Sequence, residues 1–314
     1  MTTIEEMIEK GYIAGNVNDI DLGKNSGIFV KIGIVSRTTS YLIVRNNEPT
    51  ETTSEEFFGE ERVVIPGNKW RGAERSYILS QMRSVDGAIP RNYERNAVVI
   101  KSVLRNPVSL IFGDSSTGTG KNATSIASRN YYDWAYSFQP VFKITERLTH
   151  NSLSDTGTIL HETSGSVKSN AIYETQYIKP GCEFLRFVTM ENISKEMLAI
   201  QLMAIIYTTR YGARTAILGD NVSNDIIGIG FSKGDKPISS YTVMKKCWET
   251  GNYEPDTDLM SSMEEIYGEN LISGKDLNSY IEEVRRVKAS RDELKTISSV
   301  LVSKMESDWK DMFR

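Results

Sequence analysis

The sequence predicts a mixed α+β protein, on three observations. IFVKIGIV (28–35) and CEFLRFVTM (182–190) are runs of β-branched and aromatic residues that read as strands. KEMLAIQLMAIIYTTR (195–210) is a strongly apolar stretch of helical length. Beyond Pro237, apolar residues recur at helical spacing to the end of the chain.

In chain order, residues 27–46 read as a strand pair or as one long bent strand. Residues 47–61 are polar and acidic and read as a loop. VVIPGNKWRGAERSYILSQM (63–82) reads as a short strand, a Pro66-Gly67 turn and an amphipathic helix. Its spacing sets Trp70, Ala73, Tyr77 and Met82 on one side, and Arg71 and Arg75 on another. AVVIKSVL (97–104) fits either helix or extended chain. Residues 106–130, rich in Ser, Thr, Gly and Asn, read as a long loop or flexible insertion. Within it, VSLIF could be a strand. Residues 142–190 begin and end as strands, and the small, polar middle of roughly 148–170 reads as an exposed hairpin with its tip near Asp155 and Gly157. Ser194 is a candidate N-cap for the apolar helix. NDIIGIGF (224–231) reads as the final strand. After it, Leu277, Tyr280, Ile281, Val284 and Val287, and then Leu294, Ile297, Leu301, Met305, Trp309 and Met312, form helical stripes read as core. No long-period repeat is present.

Composition narrows the function classes. The 314 residues hold 37 Lys plus Arg and 41 Asp plus Glu, a net charge of −4. No apolar run reaches transmembrane length, and MTTIEEMIEK lacks the cationic start of a signal peptide, so a cytoplasmic protein is expected. Two cysteines (Cys182, Cys247) and two histidines (His150, His161) are too few for a zinc or disulfide framework, so no metal or cofactor is expected. The mean charge conceals a pattern. Residues 62–105 carry nine bases against three acids, seven of the nine being arginine, with Trp70, Tyr77 and Tyr93 interleaved. Arginine's planar fork suits phosphate, and the alternative is a solvated basic face. A helix entered through Pro66-Gly67 also offers backbone N–H groups to an anion.

Other motifs fare less well. GDSSTGTGKN (113–122) approaches a phosphate-binding P-loop, but Ser115 stands at the first glycine position and Asn122 at the metal-binding hydroxyl. His150, Asp155, His161 and Glu162 are close in sequence but fall on the polar hairpin, where a surface role is expected. No hydrolase elbow is present.

Three segments, in order, carry a family resemblance. VVIPGNKWRGAER (63–75) resembles the I-P-G-x-x-x-[RK]-G-x-x-R signature of the RAMP superfamily of CRISPR-associated RNA-binding proteins. Residues 144–190 are similar to its long hairpin and following strand, and IIYTTRYGARTAILGDNVSNDIIGIGF (205–231) to its closing helix, Gly-Ala-Arg turn and strand. The ordered set, over about 27–235, is most similar to the backbone subunit of type I-D Cascade effectors. The resemblance implies an RRM/ferredoxin-like palm with an antiparallel sheet over 1–236, a finger insertion at 106–138, a thumb hairpin at 145–176 and a C-terminal helical segment at 237–314. It implies a protein that binds guide RNA along its backbone, lines up with copies of itself and other Cascade subunits, and presents the guide to single-stranded target DNA or RNA, with no membrane partner. Its expected RNA contacts are Lys69, Arg71, Arg75 and Arg214, with Arg37, Arg45, Lys121, His150 and His161 around them and Arg129 in the finger. The insertion has no cysteine, against a zinc-binding cluster in relatives, and Asn68-Lys69 stands where the signature prefers Ser-Ser. Relatives that cut their target raise an alternative, a metal-dependent nuclease using Asp19, Asp21, Asp133 or Asp155.

Overall fold

The computed structural model describes residues 2–45, 50–151, 172–212, 215–251 and 253–313. In chain order the elements are α1 (Ile4–Glu9), β1 (Ile28–Thr38), β2 (Ser54–Phe57), β3 (Glu60–Ile65), α2 (Gly67–Arg83), α3 (Pro107–Phe112), β4 (Asp114–Ser115), β5 (Ser125–Ile126), β6 (Asn130–Tyr132), β7 (Ala135–Pro140), α4 (Val141–Ile144), β8 (Thr145–Asn151), β9 (Ile172–Ile178), β10 (Glu183–Glu191), α5 (Lys195–Tyr207), β11 (Val222–Lys233), α6 (Ser240–Thr250), α7 (Pro255–Tyr267), β12 (Leu271–Ser273), α8 (Gly274–Ala289) and α9 (Arg291–Asp308).

The main sheet runs β12-β11-β1-β10-β7-β3-β2, with β6 also on β10. Its strand pairs are antiparallel. Within it, β1, α2, β6/β7, β10, α5 and β11 follow the β-α-β-β-α-β path, and the order β11-β1-β10-β7 is that of the expected RRM/ferredoxin-like palm. β1 is one long strand, and its register against β11 shifts between Gly33 and Ile34. Leu42 forms an isolated bridge to Ile178 of β9, in the separate two-stranded β8–β9 sheet.

Strand alternation divides the core. Val30, Ile32 and Ile34 of β1 and Val188 and Met190 of β10 face a large cluster with α2, α5, α8 and α9. Val35, Leu185 and Phe187 face the other way, against Met244, Leu259, Met263 and Tyr267 of α6 and α7. That second packing needs glycine in the strand. A Cβ on Gly230 would lie 2.5 Å from the Tyr267 ring, so a larger residue would lift α7 off the sheet. Helices therefore cover both faces of the sheet.

Four expectations are corrected. Residues 54–57 form a strand rather than loop, because Phe57 buries its ring in the α6–α7 cluster. VSLIF is helical. Asn106 caps it by accepting from Ser109 N at 2.9 Å, and Pro107 sits at its first turn, where a missing N–H costs nothing. The 106–130 stretch is thus structured at both ends, by α3 and by the β4–β5 pair. β11 is not the last strand: β12 pairs with it through Gly228–Gly230, interrupting the helices after Pro237. The hairpin is described only at its base, where β8 and β9 pair over Thr145–Asn151 and Ile172–Ile178. Its predicted tip lies outside the described residues.

Candidate functional site

A cleft of about 910 Å³ opens between the outer face of α2, the C-terminal end of α5 and the chain that follows it. Helical spacing on α2 turns Asn68, Lys69, Gly72, Ala73, Ser76, Tyr77 and Ser80 toward it. Ile43, Val44 and Arg45 supply one wall, and Tyr207–Arg210, Gly212, Ala216 and Asp220 the other. The floor is apolar and aromatic, with Tyr77 and Tyr207 near-parallel, their centroids 6.4 Å apart. Lys288 of α8 places its ammonium 4.6 Å over the Tyr207 ring.

The cleft's charged side chains are mostly cationic. Lys69 is exposed. Arg45 has its Nε and Nη2 buried with no hydrogen-bond partner among the described residues. Arg210 pairs with Asp220 at 3.2 Å, both about two-thirds exposed. Such a solvent-exposed pair contributes little to stability and exchanges readily for another anion.

Beside the cleft sits an arginine cluster. Arg95 of the segment before α3 donates to Gly72 O at 3.1 Å and Ser76 Oγ at 2.5 Å. Arg75 is buried, held by Asp114 at 2.5 Å and Tyr93 Oη at 3.0 Å. Asp114 also accepts from Tyr93 and Ser109. Arg71 is half-buried, 3.5 Å from Ser128 Oγ and Asn130 Oδ1. Burial, and then the charge of Arg75, hold the guanidinium groups of both Arg71 and Arg95 below their usual range. An anion placed against them would relieve that repulsion.

What sets α2 in place is a buried ion pair. Glu74 Oε1 lies 2.7 Å from Arg186 Nη2, both side chains at 1 % exposure or less. Glu74 also accepts from Tyr132 Oη at 2.6 Å and Tyr211 Oη at 3.1 Å. Arg186 donates to Ser36 Oγ and Asn224 Oδ1 and lies 4.5 Å over the Trp70 ring. One residue of the basic segment thus locks α2 to β10, β6 and the chain after α5, and its neighbours are left facing the cleft.

The expected RNA-binding residues scatter. Lys69 and Arg45 share the cleft. Arg71 lies beside it, and Arg75 turns inward rather than outward. Arg37 is elsewhere, enclosed by Glu183, Asp225 and Asp256 at 3.0, 2.6 and 2.6 Å. Burial works to lower its basicity, but the bonds to Asp256 and Glu183 outweigh it and raise it. Arg129 is buried, donating to Asn192 O and Leu22 O. Lys121 is exposed on a 3₁₀ turn between β4 and β5, so the Gly-Lys of the P-loop-like stretch does not begin an α-helix. His150 sits at the hairpin base, its Nε2 2.6 Å from Tyr177 Oη. Arg214 and His161 lie outside the described residues.

Of the carboxylates considered for metal, Asp133 accepts from Trp134 N and Ser240 N and so holds the start of α6; burial raises its pKa by more than those two bonds lower it. Asp21 pairs with Lys24, Asp19 is exposed, and Asp155 lies outside the described residues. Sequence reading missed Arg210 and the placement of Arg95. The latter's only signal was its membership of the basic block.

Residues 16–258 match the Csc2 CRISPR family. No curated protein matches the chain. The crystal structure of Thermofilum pendens Csc2 aligns with a TM-score of 0.54 at 15 % identity, over 96 % of this chain and 93 % of that one. A chain of a CRISPR RNA-guided surveillance complex in a pre-nicking state aligns at 0.47, with 16 % identity, over 82 % of this chain and 88 % of its own. At 15 % identity the likeness to the Thermofilum pendens structure is one of fold.

Proposed function

The chain belongs to the Csc2 CRISPR family, and from that premise we propose that it is the guide-RNA-binding backbone subunit of a type I-D Cascade effector. The single observation that supports this most is the cleft, where Lys69, Arg45 and Arg210 surround a floor of Tyr77 and Tyr207. A cationic groove with aromatic surfaces is how proteins hold single strands without reading their sequence. Arg71 and Arg95 extend the same track, and Arg75 supports it from within. Arg214, which lies outside the described residues, belongs to the same reading through its YGART segment, as do Lys121 of the finger and His150 and His161 of the thumb. Arg37 does not, because its three carboxylates make its surroundings net negative.

In this reading residues 1–236 are the palm, with its finger at 106–138 and thumb at 145–176. Residues 237–314 brace both faces of the sheet. Copies of the chain, with other effector subunits, follow one guide in the cytoplasm and present it to a single-stranded target.

The test is charge reversal at Lys69, Arg45 and Arg210 together. Binding to unrelated single strands falls alike, and the salt dependence of binding flattens by about 0.7 for each phosphate no longer neutralised. Unaltered affinity and slope in the triple variant would reject the proposal.

A further inference from the structure

The loop that closes the cleft carries two apolar side chains that nothing covers. Ile217 is 82 % exposed and Leu218 73 %, the former the most exposed large hydrophobic among the described residues. They sit on a 3₁₀ turn, Ala216–Leu218, whose first residue lines the cleft.

The turn is firmly seated. Thr215, 1 % exposed, donates to Tyr211 O and Gly212 O and accepts from Ile43 N through one hydroxyl. Ala216 N donates to Gly212 O at 2.8 Å and Leu218 N to Thr215 O at 3.0 Å. Asn221, also 1 % exposed, ties both backbone groups of Tyr211. Gly212 has φ +70°, and a Cβ there would lie 2.1 Å from Ile43 O, so the bend admits only glycine. Two branched side chains are therefore held out into water on an anchored support that begins at Ala216, in the wall of the cationic cleft.

We propose that Ile217 and Leu218 form an apolar wedge that packs against the nucleobases of the strand whose phosphates the cleft holds. This rests on the single-strand reading of the cleft. Charge complementarity argues for the occupant: a strand with its phosphates on Lys69, Arg45 and Arg210 exposes its bases at the rim, where a rigid aliphatic pair can replace base–base stacking. A protein surface is the competing occupant.

The test uses the full chain and two labelled oligomers of one length, oligouridine RNA and a base-free abasic strand. The Ile217→Ser/Leu218→Ser variant should bind oligouridine about tenfold more weakly, because its hydroxyls bury no apolar surface against the bases, and the abasic strand as the parent does. A 2-aminopurine placed in the strand should change its emission with the parent and not with the variant. Equal loss on both strands, or no loss on either, overturns the wedge. So does a variant that binds oligouridine normally but self-associates less in sedimentation, since the loop then meets another copy of the chain. A Lys69→Glu/Arg45→Glu variant separates the two readings. If it binds both oligomers as the parent does, the cleft itself is refuted and the wedge with it.

Discussion

Replacing Glu74 by alanine should loosen the whole palm. The carboxylate is fully buried on α2 and satisfies the Arg186 guanidinium and two tyrosine hydroxyls. Its removal leaves a cation at 1 % exposure without its counter-charge. Breaking such a buried pair from one side costs about 3–5 kcal/mol, because the stranded charge cannot reach water. Unfolding entropy of about 2.1 cal/mol/K per residue makes each kcal/mol worth about 1.5 °C in a chain of 314 residues. The expected loss is thus about 5–8 °C in Tm. Urea unfolding followed by far-UV circular dichroism should show the midpoint falling at constant slope. Affinity for single strands should fall too, since the same helix carries Lys69 and Arg71. A Glu74→Met/Arg186→Met double variant should recover most of the stability, as an apolar pair needs no partner. A Glu74→Ala unfolding free energy within about 0.5 kcal/mol of the parent's would refute the pair as the anchor.

Three other outcomes follow from the geometry. Arg37→Ala leaves Glu183, Asp225 and Asp256 facing one another, so stability should fall by about 1 kcal/mol after solvent screening, while oligonucleotide affinity stays unchanged; a drop in affinity would return Arg37 to the interface. Gly212→Ala puts a side chain at φ +70° against Ile43 O, costing about 1–3 kcal/mol in urea titrations and weakening strand binding by displacing the Thr215 seat. Burial, and then Asp258, push the Cys247 thiol up to about 12. Because this folded-state value is raised, its stabilising contribution is complete below the unfolded value of about 8.5 and is lost as pH climbs toward 12, by up to about 1.4 kcal/mol per unit. Cys247→Ala should flatten that alkaline limb, and at pH 8 the native protein should leave both thiols unreacted with a disulfide reagent until it is unfolded.

Local chemistry explains which parts could be read without coordinates. α2 and the C-terminal stripes announce themselves because residues bury at the helical period, whereas β1, β10 and α5 stand out as long apolar runs that are buried almost without a break. β2 and β12 do not, since four and three residues are too few for a period, and each exists only because a neighbouring strand offers it a ladder. α3 was ambiguous because a five-residue stretch with four apolar side chains suits a buried helix as well as a strand, and only its cap decides.

The candidate site divides the same way. The sequence alone determined that a block of arginines and aromatics follows a Pro-Gly turn, and that charge is concentrated there despite a net of −4. Which of those cations reach solvent was decided by tertiary structure. The Glu74–Arg186 pair sets the rotation of α2, so Lys69 faces the cleft while Arg75 turns in toward Asp114. Arg37 and Arg71 were both expected at the RNA, yet one meets three carboxylates and the other meets more arginine. A charge's worth depends on what lies within a few ångströms of it, and those neighbours come from strands and helices as far as 219 residues away, beyond the reach of any local pattern.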